Sequence, residues 1–300
     1  MSTTAIEIQN LHKNYGRVQA LKGVSLNVEQ GAIFGFLGPN GAGKTTTIRC
    51  MLDTIRPEQG SIRVFGLDPQ QDAVAVRSRV GYLPGELNLE GNQKVSDALR
   101  YFAALRGNNL DWAYVEELAR RMDLDLQISI KNLSKGNKQK VGVVQALMHR
   151  PDLLILDEPT SGLDPLMQQE VYRLLREARQ NGATVFFSSH IIAEVEAIAD
   201  RVAIIRDGVI VEEAEPETLG HMDVRRIRVR FKQEVDEAKL KGFPDVSEVN
   251  RERRDVYAFT VEGEIDGFIK TLAGFPVSDL DVERPSLEEI FLAYYAGEEG

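Results

Sequence analysis

The sequence predicts an α/β protein with a parallel core sheet, an antiparallel β region and a helical region, followed by a small α+β domain. Three observations support this class. Short, wholly apolar strands alternate with amphipathic helices in the middle of the chain, as in a parallel sheet that helices cover on both faces. The first strands instead alternate apolar and polar residues, as antiparallel strands do. A length of 300 residues exceeds what one compact core usually holds, which favours two domains.

The composition is typical of a soluble protein, with 43% apolar and 27% charged residues. No apolar run approaches the roughly 18 residues that would indicate a membrane span. The first residues, MSTTAIEIQN, lack the basic start and apolar core of a secretory signal. Cys50 is the only cysteine, which favours a reducing cytosol, and a net charge of −10 argues against a general preference for nucleic acid. We therefore expect a cytoplasmic protein.

The first part of the chain is predicted to form antiparallel strands, AIEIQ and GVSLNVEQG, because apolar residues occur at every second position. These inward positions are Ile6, Ile8, Val24, Leu26 and Val28. The apolar run AIFGFL is predicted to be a buried strand that ends in the loop GPNGAGKTTT. After the loop, apolar residues recur at helical spacing, so an amphipathic helix is predicted from Thr45 onward. Its apolar positions are Ile48, Met51, Leu52 and Ile55.

Residues from about 92 to 150 are predicted to be mainly helical. Their apolar stripes comprise Val115, Leu118, Ala119 and Met122, and then Val141, Val144 and Met148. Two wholly apolar strands follow, DLLILDE and TVFFSS, and a helix separates them. VAIIRDGVIVEE is predicted to be a hairpin around the Asp207-Gly208 turn.

A domain boundary is predicted in EAEPETLGHMD, residues 213–223, which contains Pro216 and Gly220. We divide the chain into a first domain, residues 1–220, and a small α+β accessory domain, residues 221–300. Short strand-like and helix-like segments alternate in the second domain, for which a ferredoxin-like topology is one candidate. Its tail, PSLEEIFLAYY, carries a capping box of Ser286 and Glu289.

The loop after AIFGFL indicates a phosphate-binding site. The pattern G-x-x-x-x-G-K-[ST] is met by Gly38, Gly43, Lys44 and Thr45 between a predicted strand and helix. Glycines let backbone N–H groups approach phosphate oxygens, and the helix N-terminus adds a partial positive charge. Lys44 can reach the β- and γ-phosphates, and the Thr45 hydroxyl can ligate Mg²⁺. The nucleotide-binding residues predicted here are Gly38, Pro39, Asn40, Gly41, Ala42, Gly43, Lys44, Thr45 and Thr46.

Two acids at the end of LLILDEP complete this site. Asp157 ends a buried strand, where its carboxylate can reach the Mg²⁺ shell through water. Glu158 follows at once and can act as the general base toward an attacking water. Polar residues often end strands, but together with the upstream loop this pair predicts hydrolysis of a bound nucleotide.

Several ordered motifs over about residues 4–215 resemble the ATP-binding subunits of ABC transporters, in particular exporter-type subunits that work with separately encoded membrane proteins. GPNGAGKTT is similar to the Walker A motif, and LLILDEPTSGLDP to Walker B with its D-loop. NLSKGNKQK occupies the place of the L-S-G-G-Q signature. SSHIIAEVE puts a histidine at the switch position, and KNYG puts a tyrosine where the family stacks a ring on adenine. The resemblance implies a P-loop NTPase fold of the ABC nucleotide-binding type, with ATP and Mg²⁺ as cofactors.

The resemblance also implies roles for residues outside the phosphate loop. His190 would donate to the γ-phosphate, and Tyr15 would stack on adenine. Ser134 and the Gly136 amide would face the γ-phosphate of an opposite subunit, and Asp164 would lie at the dimer interface. Two of these residues also suit purely local roles, since Ser134 is a suitable helix N-cap and Tyr15 could cover a sheet edge.

Two segments depart from the family pattern. The signature keeps Ser134 and Gly136 but has Lys135 and Asn137 where the family has glycine and glutamine. In VGYLPGELN, Gly85 occupies the position of the usual glutamine, which touches the Mg²⁺ and water and senses the membrane subunit. Either the Glu86 side chain makes that contact instead, or the contact is absent and coupling to the membrane subunit relies on neighbouring backbone.

The leading functional hypothesis is a motor subunit that drives export. Two copies, or one copy and a paralogue, would close head-to-tail around two ATP molecules and pull on a polytopic membrane subunit. The chain would then lie peripherally on the cytoplasmic face of the membrane. No nucleic-acid partner is expected, and the cargo stays open because the membrane subunit normally chooses it.

The alternative is a soluble ABC ATPase that acts on nucleic acid or the ribosome. Its support is basic clustering in RRIRVRF and RERR. These arginines could instead lie on the solvated face of a strand, or contact the membrane partner or lipid headgroups. These residues are Arg225, Arg226, Arg228, Arg230, Arg251, Arg253 and Arg254. A third option, in which the second domain senses a ligand, is compatible with transport.

Overall fold

A computed structural model describes residues 4–87, 89, 91–107, 110–216, 224–240 and 242–283. The chain divides into two compact units, Met1–Pro216 and Glu217–Gly300. The predicted helix of the C-terminal tail, with its capping box of Ser286 and Glu289, lies outside the described residues. Within the described part, no helix is both long enough and apolar enough to cross a membrane.

The first unit contains nine strands and seven α-helices among its described residues. In chain order they are β1 (Thr4–Tyr15), β2 (Val18–Glu29), β3 (Ile33–Leu37), α1 (Lys44–Met51), β4 (Gln59–Val64), α2 (Ala73–Arg79), β5 (Val80–Leu83), α3 (Val95–Leu105), α4 (Trp112–Arg121), α5 (Lys135–Leu147), β6 (Leu153–Asp157), α6 (Pro165–Gln180), β7 (Thr184–Ser189), α7 (Ile192–Ile198), β8 (Arg201–Arg206) and β9 (Val209–Ala214). A short 3₁₀ helix, Ile130–Asn132, precedes α5.

The antiparallel β region is a three-stranded sheet in the order β2-β1-β4. The period-two prediction for its first strands is confirmed. Ile6 and Ile8 on β1 are at most 1% exposed, and Val24, Leu26 and Val28 on β2 are buried beside them. Together with α1 they form one apolar core, against which Ile55 also packs although α1 already ends at Met51.

The core sheet has six strands in the order β5-β6-β7-β3-β8-β9, and only β9 runs antiparallel. Every residue of β3, β6 and β7 is buried, as expected for strands covered on both faces. The turn from β8 to β9 has a positive φ at both Asp207 (48°) and Gly208 (82°), as the predicted hairpin requires. The carboxyl ends of β6, β7 and β3 meet at one edge, where Asp157 pairs with Ser188 and Leu37 with Ser189.

The helical region comprises α3, α4 and α5, and its predicted apolar stripes are confirmed. Val115, Leu118 and Ala119 on α4 are at most 2% exposed, and Val141 and Val144 on α5 are fully buried. The α5 helix also contacts β5 of the core sheet, where a Cβ on Gly142 would lie 2.4 Å from Leu83 Cδ1. The position of α5 relative to the core sheet is therefore fixed by close packing.

The second unit consists of β10 (Val224–Phe231), α8 (Glu237–Leu240), β11 (Val246–Arg251), β12 (Val256–Glu262), α9 (Ile265–Leu272) and β13 (Val277–Glu283). Its strands form an antiparallel sheet in the order β11-β12-β10-β13. A β-α-β-β-α-β succession with this order is the ferredoxin-like arrangement. One face of the sheet packs on an aromatic core that includes Tyr257, Phe259 and Phe268.

The arginines of the second unit lie mainly on its exposed surface, and four of them pair with acids. On β10, Arg226 and Arg228 alternate with buried apolar residues, and both pair with Glu252. Arg251 and Arg254 both pair with Glu234, at 2.6 and 2.9 Å. Hydrogen bonds from these two arginines hold the pKa of Glu234 below its usual value. Two carboxylates thus offset part of the basic charge on which the nucleic-acid alternative depended.

Candidate active site

The loop between β3 and α1 is packed so tightly that its outer glycines admit no side chain. A Cβ on Gly38 would lie 2.3 Å from the carbonyl oxygen of Ile205 on β8. Gly43 has a φ of 113°, and a Cβ there would lie 2.8 Å from the carbonyl oxygen of Ala20 on β2. The glycines therefore serve packing as well as access to phosphate, which the sequence pattern alone does not reveal.

Lys44 folds back across this loop. Its side chain is 5% exposed, and Nζ donates to the carbonyl oxygens of Gly38 at 2.6 Å and Pro39 at 3.1 Å. Burial lowers the pKa of Lys44, while the nearby charges of Glu158 and Asp157 act in the opposite direction. An ammonium group is thus held at the mouth of the loop by contacts that an incoming anion can replace.

Thr45 and Asp157 form an oxygen-rich pair at the start of α1 and the end of β6. The Thr45 hydroxyl donates to Asp157 Oδ2 at 2.7 Å, and Ser188 Oγ donates to Asp157 Oδ1 at 2.5 Å. Asp157 is 1% exposed. Hydroxyl and carboxylate oxygens suit Mg²⁺, a hard cation. Within the described residues, no group of three or more histidines, cysteines or acids could hold a metal by itself, so nucleotide and water would have to supply its other ligands.

Glu158 and His190 face each other directly after β6 and β7. Glu158 Oε1 lies 3.0 Å from His190 Nδ1 and 3.8 Å from Lys44 Nζ. Glu158 has a φ of 53°, in the left-handed region that disfavours a side chain. Its backbone is held there by hydrogen bonds, since its N–H donates to Ser188 and its carbonyl accepts from Gln139 Nε2 at 2.9 Å.

Gln139 and Ser188 are site residues that the sequence analysis missed. Gln139 lies on α5 and is 6% exposed, and Ser188 is fully buried. The position of Gln139 in the signature-like segment SKGNKQK was an available signal, but only the docking of α5 shows that it contacts Glu158. Both residues stabilise the strained backbone that carries the carboxylate.

The signature and D-loop residues have local structural roles in this chain. Ser134 caps α5 by accepting from the Asn137 N–H at 3.2 Å, and Asp164 caps α6 by accepting from two backbone N–H groups. A Cβ on Gly136 would lie 2.5 Å from the carbonyl oxygen of Gly162, so the start of α5 packs on the segment after Glu158. Across the described chain, Ser134, Gly136 and Asp164 make no hydrogen bond to loop 38–46.

Tyr15 presents an exposed ring at the end of β1. It is 46% exposed and lies opposite Val18 of β2, which is 66% exposed. Lys13 Nζ lies 5.8 Å from the ring centroid and is paired with Glu58 at 2.9 Å. Both the sheet-edge interpretation and a role in stacking are compatible with this placement, because the ring ends a strand and remains accessible.

Gly85 packs against Asp157, whereas the Glu86 side chain lines a separate cavity. A Cβ on Gly85 would lie 3.1 Å from Asp157 Oδ2, so the backbone at Gly85 packs directly against this carboxylate. Glu86 instead lines a cavity of about 380 Å³ together with Arg77 and Arg106. The alternative in which the contact is absent and coupling relies on neighbouring backbone stays a prediction, which the position of Glu86 in that cavity supports.

Comparisons with known proteins show the family to which the chain belongs. The family described as ABC transporter matches residues 21–161. The bacitracin transport ATP-binding protein BcrA of Bacillus licheniformis is 38% identical over 214 residues, which is 70% of each chain. The daunorubicin resistance ATP-binding protein DrrA3 of Streptomyces coeruleorubidus is 32% identical over 307 residues, covering 97% of this chain and 96% of that protein.

A solved structure of the ATP-binding subunit of an ABC transporter superposes with a TM-score of 0.66 at 30% identity, over 72% of this chain and 91% of that chain. The fold is therefore shared, and the relative from Streptomyces extends the likeness over nearly the whole sequence. We conclude that the chain belongs to the family of ABC transporter ATP-binding proteins, which bind and hydrolyse ATP.

Proposed function

We propose that this chain is the motor subunit of an exporter, with residues 1–220 as nucleotide-binding domain and residues 221–300 as accessory domain. The observation that carries the proposal is the position of Glu158. Its carboxylate lies between the ammonium of Lys44 and the imidazole of His190, beside the phosphate-binding loop. A base in that place can take a proton from a water that attacks the terminal phosphate.

Each predicted residue has a role in this mechanism. The backbone N–H groups of residues 38–46 and the ammonium of Lys44 bind the phosphates, and Tyr15 stacks on the adenine. Thr45 would hold Mg²⁺ directly and Asp157 would hold it through water, and the bound ion would supply positive charge to offset the charge on the phosphates. Glu158 accepts the proton of the attacking water, and His190 fixes the Glu158 carboxylate and donates to the terminal phosphate.

The signature residues point to a dimer. Because Ser134, Gly136 and Asp164 make no hydrogen bond to loop 38–46 within the described chain, we assign them to the nucleotide of a second subunit. One chain supplies one phosphate loop and one signature helix, so two chains are needed for two complete sites. The helix N-terminus that Ser134 caps would then face the partner's terminal phosphate.

ATP is expected to dimerise the Glu158→Gln variant, because this variant retains the phosphate loop but lacks the base that would hydrolyse the bound ATP. Light scattering coupled to size exclusion should give twice the chain mass with ATP and Mg²⁺, and the chain mass without them. A matched control, Glu158→Gln combined with Lys44→Met, should stay monomeric. A monomer mass of the single variant at saturating ATP would rule out the sandwich.

The membrane partner is proposed to dock at the cavity that Glu86 lines. This cavity is bordered by apolar side chains, including Leu87 and Phe102, and it lies in the segment that senses the membrane subunit in the family. The relatives named for bacitracin transport and daunorubicin resistance favour export as the direction. We therefore place the chain on the cytoplasmic face of the membrane.

The Glu158→Gln variant, tagged and extracted in mild detergent under ATP, should co-purify with a polytopic membrane protein in stoichiometric amount. The tagged Lys44→Met variant, which is expected to bind ATP only weakly, controls for contaminants of the membrane fraction. Recovery of ribosomes or nucleic acid without a membrane protein would keep the ATPase but overturn the transport assignment.

A further inference from the structure

Glu194 has a buried carboxylate that takes no part in the proposed mechanism. It lies in α7, four residues after His190, and is 5% exposed. Both of its oxygens accept hydrogen bonds from hydroxyl groups: Oε1 from Thr160, and Oε2 from Ser189 at 2.5 Å. Among the described residues, no lysine, arginine or histidine pairs with it. Burying an acid without a cation is costly, so a purely structural position would favour an apolar residue.

The two donors belong to the two loops that carry the catalytic pair. Thr160 follows Glu158 by two residues and is 3% exposed, and the turn between them is closed by the Ser161 N–H, which donates to the Glu158 carbonyl at 3.1 Å. Ser189 directly precedes His190, is 1% exposed, and accepts from the Ile191 N–H at 2.9 Å. Glu194 therefore joins the loop after β6 to the loop after β7.

These contacts form a closed ring. It runs from the Glu158 backbone through Thr160, Glu194 and Ser189 to His190, whose Nδ1 returns to the Glu158 carboxylate at 3.0 Å. Glu194, Glu158 and His190 also line one small cavity of about 170 Å³. Thr160 also begins the segment that leads to Asp164, so the ring connects that segment to His190.

We infer that Glu194 is a positioning residue that sets the distance between Glu158 and His190, and couples that distance to the segment 160–164. The inference rests on the proposed function, since it assigns Glu194 a role in the same hydrolytic site. Glu194 does not touch the substrate; it acts through two hydroxyl groups. A change of about 1 Å in such a pair can lower a rate by about 100-fold.

Glu194→Ala should lower kcat for ATP hydrolysis by about thirtyfold while the KM for ATP stays within about twofold. Glu194→Gln should recover most of this loss, because its amide oxygen accepts from one hydroxyl and its NH₂ donates to the other. In a His190→Ala background the same Glu194→Ala change should cost less than about twofold, since the partner that it positions is gone. Thr160→Val, nearly isosteric but without a donor, should lower kcat in the same direction.

ATP hydrolysis is measured for all variants in the full-length protein with Mg²⁺ and ATP. Glu196→Gln, on the same helix, is the control for the loss of one carboxylate. Unfolding temperatures are measured in parallel. If Glu194→Ala fails to fold, Glu194→Gln and Thr160→Val are used to test the inference. Equal losses in the wild-type and His190→Ala backgrounds, or a glutamine variant as slow as alanine, would overturn the inference. An inactive wild type would overturn the proposed function itself, and the inference with it.

Discussion

Glu158→Gln is expected to reduce ATP turnover by about 10²–10⁴-fold, the usual contribution of a general base. Glutamine has the same shape and can still bond to His190 Nδ1, but its amide cannot accept the proton of the attacking water. ATP affinity should stay the same or rise slightly, because the change removes a negative charge 3.8 Å from Lys44 Nζ. The expected loss of ATP turnover is therefore a decrease in kcat.

Steady-state phosphate release and equilibrium ATP binding separate these two effects. Glu196→Gln is the matched control, because it also removes one carboxylate, from α7. A Glu158→Gln variant that turned over ATP within about tenfold of wild type would show that another group takes the proton. In that case Glu158 would only orient His190 and Lys44.

Lys44→Met is expected to weaken ATP binding by about 2–5 kcal/mol, the cost of removing one partner from a buried charge pair. This corresponds to a rise in Kd of about 30- to 4,000-fold. Folding should be little affected, because burial already lowers the pKa of Lys44 and methionine removes that unfavourably buried charge while filling similar volume. The unfolding temperature without nucleotide should therefore stay within about 3 °C of wild type.

Isothermal titration with ATP and Mg²⁺ measures the affinity, and thermal unfolding measures the stability. Lys22→Met, an exposed position on β2, is the control for loss of one positive charge. Unchanged affinity in Lys44→Met would place the phosphates outside the loop and contradict the proposed site. Loss of folding in this variant would instead mean that the contacts of Nζ with Gly38 and Pro39 hold the loop together.

Local sequence patterns were sufficient to predict most elements of the first unit. Period-two alternation identified β1 and β2, wholly apolar runs identified β6 and β7, and helical spacing identified α1. Side chains that act on their own backbone were also predictable, such as the Ser134 cap of α5. Such features depend on neighbours within about one helical turn, so a single sequence contains the information.

Helix ends were less predictable because apolar spacing reports burial rather than helical conformation. The stripe of α1 continued to Ile55, but the helix ends at Met51, and Asp53 has a φ of 50° that no helix accommodates. Ile55 still packs against the core because the chain turns back toward it. Ile55 is therefore partly buried against the core, as its apolar spacing predicts, although the predicted helix does not reach it.

What the sequence determined by itself is the set of chemical groups at the site: the glycines and lysine of the loop, Thr45, Asp157, Glu158 and His190. Only the tertiary structure decided their geometry, because strand order cannot be derived from local periodicity. The order β6-β7-β3 brings Thr45 to Asp157 across 112 residues and His190 to Glu158 across 32. The same strand order and the docking of α5 and α7 added Gln139 and Glu194, whose contacts depend on packing between distant segments.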